Sequence, residues 1–183
     1  MAKNSLVVCY SWGGNTKAVA EYIADKIGAD LLELKVKNPY PADYDACVSQ
    51  VGQDGKSYEP ELSIQIPDLA AYAYDVVFAG SPCWWGTIAN PMRTFLRQND
   101  FAGKTVIPFM THGTSGLHVQ DVKKLCPDSY VLRGCGIFNQ YQVSTKVNTL
   151  ANMGNYKKEI DRWLKELRPV LSAKGAEKSY GSV

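Results

Sequence analysis

Unbroken apolar runs alternate with amphipathic stretches along most of this chain. Leu6-Val7-Val8-Cys9-Tyr10 is too short for a helix and β-branched enough for a parallel strand buried on both faces. After it, Val19, Ala20, Ile23, Ala24 and Ile27 recur at helical spacing, and Gly28 stands where such a helix would be capped. Leu31-Leu32-Glu33-Leu34 predicts a second strand, stopped by Asn38-Pro39-Tyr40-Pro41. Tyr44, Cys47, Val48 and Val51 predict a second helix whose end Gly52 and Gly55 leave open. The chain then crosses as a loop after Glu59-Pro60-Glu61-Leu62, with a brief helix from Asp68 to Tyr74. Val76-Val77-Phe78-Ala79 predicts a third strand and Thr105 to Met110 a fourth, separated by a helix from Asn90 to Arg97. Pro91 falls in the first turn of that helix, where its missing N–H costs nothing. A helix from Leu117 to Leu125, a fifth strand from Tyr130 to Phe138, and a final amphipathic helix follow. The last is marked by Tyr156, Ile160, Trp163, Leu164 and Leu167, with Asn155 as N-cap. The segment from Asn139 to Gly154 takes no assignment. Residues 1–171 read as one domain and 172–183 as a flexible C-terminal tail.

Apolar strands alternating with helices predict an α/β fold: a doubly wound, five-stranded parallel sheet with helices on both faces. Such sheets bind ligands beyond the carboxyl ends of their strands, where strand order reverses. Composition narrows the classes. With 183 residues, 45% hydrophobic and 21% charged, the chain can build a substantial core. A net charge of +2 with scattered basic residues argues against nucleic acid as a partner. No signal-peptide pattern and no apolar run of membrane-spanning length are present, so the expectation is a cytoplasmic protein. Five cysteines without C-x-x-C spacing suit a reducing compartment, and two histidines make a metal centre unexpected.

Three turns carry the candidate chemistry. Ser11-Trp12-Gly13-Gly14-Asn15-Thr16 joins the first strand to a helix N-terminus, where free N–H groups and the helix dipole favour an anion such as phosphate. Its glycines admit close approach, and Ser11, Asn15 and Thr16 can add hydrogen bonds. An ordinary capped turn is the alternative. Neither the nucleotide P-loop pattern nor the dinucleotide G-x-G-x-x-G pattern is present. The C-x5-R loop of low-molecular-weight tyrosine phosphatases is nearly matched by Cys9, but Asn15 stands where the arginine should be. Without that guanidinium a transferring phosphoryl group loses its bidentate clamp. The third strand empties into Gly80-Ser81-Pro82-Cys83-Trp84-Trp85-Gly86, and the fourth into Thr111-His112-Gly113-Thr114-Ser115-Gly116. All three turns would lie along one sheet edge, and their convergence points to a planar, phosphate-bearing cofactor.

Strand one followed by Ser-x-Gly-Gly-Asn-Thr, strand three by Gly-Ser-Pro-x-Trp-Trp-Gly and strand four by a Thr-rich glycine loop together resemble the flavodoxin family, from about Leu6 to Leu167. The resemblance implies one non-covalent FMN. It assigns the phosphate to Ser11, Trp12, Gly13, Gly14, Asn15 and Thr16. It assigns the isoalloxazine to Ser81, Pro82, Cys83, Trp84, Trp85 and Gly86, and the pyrimidine side or ribityl chain to Thr111, His112, Gly113, Thr114, Ser115 and Gly116. The long stretch from Tyr40 to Leu62 suits a flavodoxin-like subfamily. Trp12-Gly13 replaces the Thr-Gly of many flavodoxins, which leaves open which N–H groups face the anion.

Other readings of these residues stand beside that one. Two adjacent indoles cannot both enter one strand-face core, so at least one of Trp84 and Trp85 is expected to cover a cleft. Cys83 has no His, Lys or Arg nearby in sequence and reads as packing. Ser115 and Gly113 approach a G-x-S-x-G elbow that Leu117 breaks. His112 either senses the flavin pyrimidine or serves as a loop hydrogen-bonder. The resulting expectation is a flavodoxin-like electron-transfer protein docking on redox partners. The alternative is an NAD(P)H-dependent FMN oxidoreductase acting on quinones or similar small acceptors. Typical flavodoxins are strongly acidic, which this chain is not, and the fourth-strand loop lacks a second stacking aromatic. A purely interaction-bearing domain would have no use for the glycine turns and exposed indoles.

Overall fold

The computed structural model describes residues 4–64, 66, 74–114, 116–139 and 153–172. Strand β1 (Ser5–Cys9) leads into helix α1 (Asn15–Ile27), then β2 (Asp30–Glu33), α2 (Tyr44–Asp54) and β3 (Val76–Trp84). A short β4 (Thr87–Ile88), α3 (Asn90–Gln98), β5 (Thr105–His112) and α4 (Val119–Leu125) follow. The chain continues through β6 (Tyr130–Val131) and β7 (Cys135–Phe138) to α5 (Tyr156–Ser172). The parallel sheet runs β2-β1-β3-β5, and its last position is shared by β6 and β7. Order reverses between β1 and β3: the chain winds outward from β1 to β2, then crosses to β3 on the other side. The doubly wound architecture expected from the apolar runs is therefore the one found.

Both sheet faces are dry, which is why the strands read as continuous apolar runs. Along β1, Leu6 and Val8 enter one core with Val77, Ala79, Phe95 and Met110, while Val7 and Cys9 enter the other with Phe78, Ile107 and Phe109. The first core is closed by α2, α3 and α4. The second is closed by α1 through Val19, Ala20 and Ile23 and by α5 through Ile160, Trp163 and Leu164. Each fully buried side chain of this size contributes about 1.5–3 kcal/mol relative to exposure. Trp163 stands edge-on to Phe78, with centroids 5.8 Å apart, fastening α5 to the sheet. Among the described residues no helix is long and apolar enough to cross a membrane.

Several boundaries differ from the sequence expectation. Strand β3 does not end at Ala79. It continues to Trp84, where Cys83 and Trp84 pair with Ile88 and Thr87 in a hairpin, so most of the predicted loop is strand. Strand β5 runs two residues past Met110, and the helix after it begins at Val119 rather than Leu117. The fifth strand is interrupted between Val131 and Cys135. Pro108 explains the gap. Leu132 donates its N–H to the Val106 carbonyl and Asn139 to that of His112, so even-numbered positions of β5 face this side. Pro108 faces it too and has no N–H to give, which breaks the ladder. Helix α2 passes through Gly52 and ends at Gly55, whose φ is +68°. Of the predicted helix from Asp68 to Tyr74 only Tyr74 is described. Most of the Asn139 to Gly154 segment, Ser115 and residues 173–183 also lie outside the described residues.

Candidate functional site

Beyond the carboxyl ends of β1, β3 and β5 the structure forms a cavity of about 470 Å³, within the range that holds cofactors. The sheet topology places it there. The ends of β1 and β3 flank the point where strand order reverses, and the turns leaving them diverge to opposite sides.

The β1–α1 turn supplies Ser11, Trp12, Gly13, Asn15 and Thr16 to the lining, while Gly14 lies just outside it. Gly14 is the N-cap of α1 at φ +87°, and no side chain caps this helix end or places an acid in its first turn. The N–H groups of the first turn thus meet an anion-ready space with their dipole aligned. Ser11 Oγ is buried with no hydrogen-bond partner among the described residues. A buried hydroxyl in that condition costs about 1–3 kcal/mol unless a ligand answers it. Thr16 is almost fully buried, and its hydroxyl hydrogen-bonds that of Thr111 at 2.8 Å, tying the turn to the end of β5. Trp12 is steadied by its indole N–H donating to the Pro41 carbonyl at 2.8 Å and by an edge-on contact with Tyr44.

Strand β3 and its hairpin add Pro82, Cys83, Trp84, Trp85 and Gly86. The two indoles part because Trp84 ends strand β3 and Trp85 begins the turn after it. Trp84 turns inward, edge-on to Tyr40 and Tyr10 with centroids at 5.0 and 5.5 Å. Trp85 is 62% exposed at the cavity mouth. Ser81 is not at the surface of the cavity: it is fully buried, accepting from the Ala89 N–H at 2.8 Å and donating to the Pro82 carbonyl at 2.9 Å. It braces the hairpin from behind.

From the end of β5 come Thr111, His112, Gly113 and Thr114, and Gly116 falls outside the lining. The His112 ring stands edge-on to Phe138 at 5.9 Å, and its Nδ1 is buried without a partner among the described residues. Burial, helped by His118, lowers its pKa below the ordinary histidine value. The ring is therefore neutral at pH 7, able to donate or accept a hydrogen bond but carrying no charge.

The sequence reading missed the opposite wall. Tyr44, Cys47, Val48 and Val51 of α2 line the cavity, as does Asn139 at the end of β7. Their helical spacing was legible, and Cys47 and Val51 do enter the first core; only the packing of α2 beside the hairpin makes the same stripe border the cavity as well. No Asp, Glu, Lys or Arg is present among the described lining residues. Cys9, the near match to a phosphatase nucleophile, is fully buried, and burial with Glu33 nearby pushes its thiol up to about 12. It is expected to resist alkylation at pH 8 in the folded protein and to react at once in denaturant; prompt native labelling, followed by mass spectrometry, would contradict this.

Comparison with known proteins agrees with this geometry. Among solved structures the chain is similar to a candidate flavoprotein from Bacteroides eggerthii, at 26% identity and TM-score 0.70 over 93% of this chain and 99% of that one. A second candidate flavoprotein, from Bacteroides uniformis, matches at 26% identity and TM-score 0.71 over 90% and 99%. A flavoprotein from Lactobacillus acidophilus, solved in complex with FMN, matches at 28% identity and TM-score 0.58 over 74% and 93%. The Flavodoxin family model matches residues 4–154, spanning all three turns and the sheet that carries them, and the chain belongs to the flavodoxin family.

Proposed function

We propose that the protein binds one FMN in this cavity and acts in the cytoplasm as a flavodoxin-like electron-transfer protein. The observation that carries the reading is the uncapped N-terminus of α1 beside the buried, unpartnered Ser11 hydroxyl, both facing one cavity at the strand-order reversal. FMN-bound Lactobacillus acidophilus flavoprotein supports the choice of cofactor. In this reading Ser11 to Thr16 hold the phosphate, the hairpin residues Pro82 to Gly86 line the ring, and Thr111 to Thr114 with Asn139 hydrogen-bond its polar edge. Bound FMN supplies one- and two-electron redox chemistry. The protein's part is to bind, orient and shield it.

Replacing Ser11 by Ala removes the unpartnered hydroxyl and leaves the tie between Thr16 and Thr111 in place. FMN binding is expected to weaken by about 1.5 kcal/mol, roughly tenfold, with riboflavin affected far less because it lacks the phosphate. Calorimetry of both ligands checks this; equal losses would remove the phosphate from the β1–α1 turn.

A second reading is favoured by one observation, the apolar α2 wall facing an uncharged cavity. Such a wall suits a neutral small acceptor. On that reading the site would hold FMN for the net transfer of a hydride from NAD(P)H and a proton from solvent to a quinone, giving the hydroquinone and NAD(P)+. Anaerobic mixing of the FMN-loaded protein with NADH or NADPH separates the two: fast bleaching supports the reductase, and inertness the carrier.

A further inference from the structure

The turn between β3 and β4 is held in an unfavourable shape. Trp85 and Gly86 have φ of +49° and +70°, and Trp85 is the one non-glycine with positive φ among the described residues. Consecutive left-handed residues make the tight two-residue hairpin turn that suits strand twist, and glycine or asparagine normally occupies both positions. A tryptophan there costs on the order of 1 kcal/mol and persists only where its surroundings impose the conformation. The indole does not by itself impose it: it is largely exposed and rests on α2 at Gly52, where an added Cβ would stand 3.4 Å from the ring. Nor does β4, which is two residues long.

Behind the turn lies a buried polar chain. The Thr87 hydroxyl donates to Asp121 Oδ2 at 2.7 Å and accepts from Arg93 Nη2 at 3.0 Å. Arg93 belongs to α3 and Asp121 to α4, so one hydroxyl joins the hairpin to two helices. Thr87 and Arg93 are both buried and Asp121 is half-buried, so the Arg93 charge, taken from water, has the Asp121 carboxylate near it to offset it. On the other strand Ser81 provides a matching anchor through Ala89 and Pro82.

We propose that Thr87 is a positioning residue: the chain from Arg93 through Thr87 to Asp121 clamps the Trp85–Gly86 turn against the cavity and so sets how that turn meets a bound flavin ring. The proposal rests on the FMN reading for its functional half, while the clamping of the turn stands without it. Side chains that never touch the cavity thereby govern its mouth.

The test compares Thr87→Val, which keeps the shape and deletes both hydrogen bonds, with Thr87→Ser, which keeps the hydroxyl. In the flavin-free protein, amide exchange at Trp85 and Gly86 followed by NMR is expected to quicken about tenfold in T87V. In the loaded protein T87V is expected to bind FMN about tenfold more weakly and to change the visible circular dichroism of the flavin, with T87S within about twofold of the parent. Should T87V fail to fold, Asp121→Asn, which weakens one bond and keeps the volume, carries the same expectations at reduced size. A T87V protein with a lower Tm but parental FMN affinity, dichroism and turn exchange would overturn the proposal, as would T87S behaving like T87V. If the parent protein itself binds no FMN, the flavin reading fails, and the exchange comparison still decides whether the clamp exists.

Discussion

A single carboxylate placed on the α2 wall, by Val48→Asp, is expected to lower the potential of the bound flavin by on the order of 90 mV for the second one-electron reduction. Full reduction of FMN leaves negative charge on the ring, and a neighbouring carboxylate opposes it. At about 8 Å, with an effective dielectric near 20, the opposition is roughly 2 kcal/mol. The parent cavity contains no such term: its described lining has no Asp or Glu, and His112 is held neutral by burial, so it supplies no compensating positive charge either. The parent potential should accordingly lie above that of a strongly acidic flavodoxin measured beside it. Val48→Asn is the control, because it matches the shape and polarity without the charge. Spectroelectrochemical titration at pH 7 is the measurement. Identical potentials for the Asp and Asn variants would show that α2 does not border the ring, and the shift should shrink as salt is added.

Gly134→Ala is expected to be the most destabilising single methyl in the described structure. A Cβ at Gly134 would stand 2.1 Å from the Pro108 carbonyl oxygen and 2.9 Å from its carbon. The oxygen belongs to β5, which is locked on its other side by seven paired positions from Val76–Thr105 to Pro82–Thr111. The Pro108 backbone cannot retreat without breaking that ladder, and Gly134 is tethered by the pairing that begins at the next residue, Cys135. Overpacking of this kind costs about 3 kcal/mol, near the top of its range, or roughly 6–12 °C in Tm for a chain of this size. Gly80→Ala meets an equally short contact, but with the tip of the Phe109 ring, which a smaller side chain would remove. Phe109→Leu should therefore relieve Gly80→Ala in a double mutant, while Pro108→Ala should not rescue Gly134→Ala, because the carbonyl remains. Thermal unfolding of the four variants tests the contrast. An unchanged Tm for Gly134→Ala would mean the strand moves freely there.

The sheet and the edge that carries the candidate site were legible because burial on both faces leaves a signature that needs no partner to read. Leu6 to Cys9 and Val76 to Ala79 are apolar at every position, and the α1 stripe from Val19 to Ile27 ends at a glycine that the structure finds at φ +66°. The glycine-rich turns after β1 and β5 mark that edge in the same local way. Elements were misjudged where pairing with a distant segment outweighed local composition. Gly80 to Trp84 reads as loop but becomes strand because Thr87 and Ile88 return to pair with it, and Pro108 splits a strand more than twenty residues away by withholding one N–H. The sequence alone determined the fold class, the glycine-rich turn at the N-terminus of α1 and the family resemblance, all of which rest on periodicity and short-range turn chemistry. Only the tertiary structure decided that Ser81 braces rather than lines, that Trp84 and Trp85 part company, that α2 closes the far wall and that Arg93 and Asp121 reach the hairpin. Those are contacts between segments tens of residues apart, and no local pattern of residues specifies which segment a side chain will find across the core.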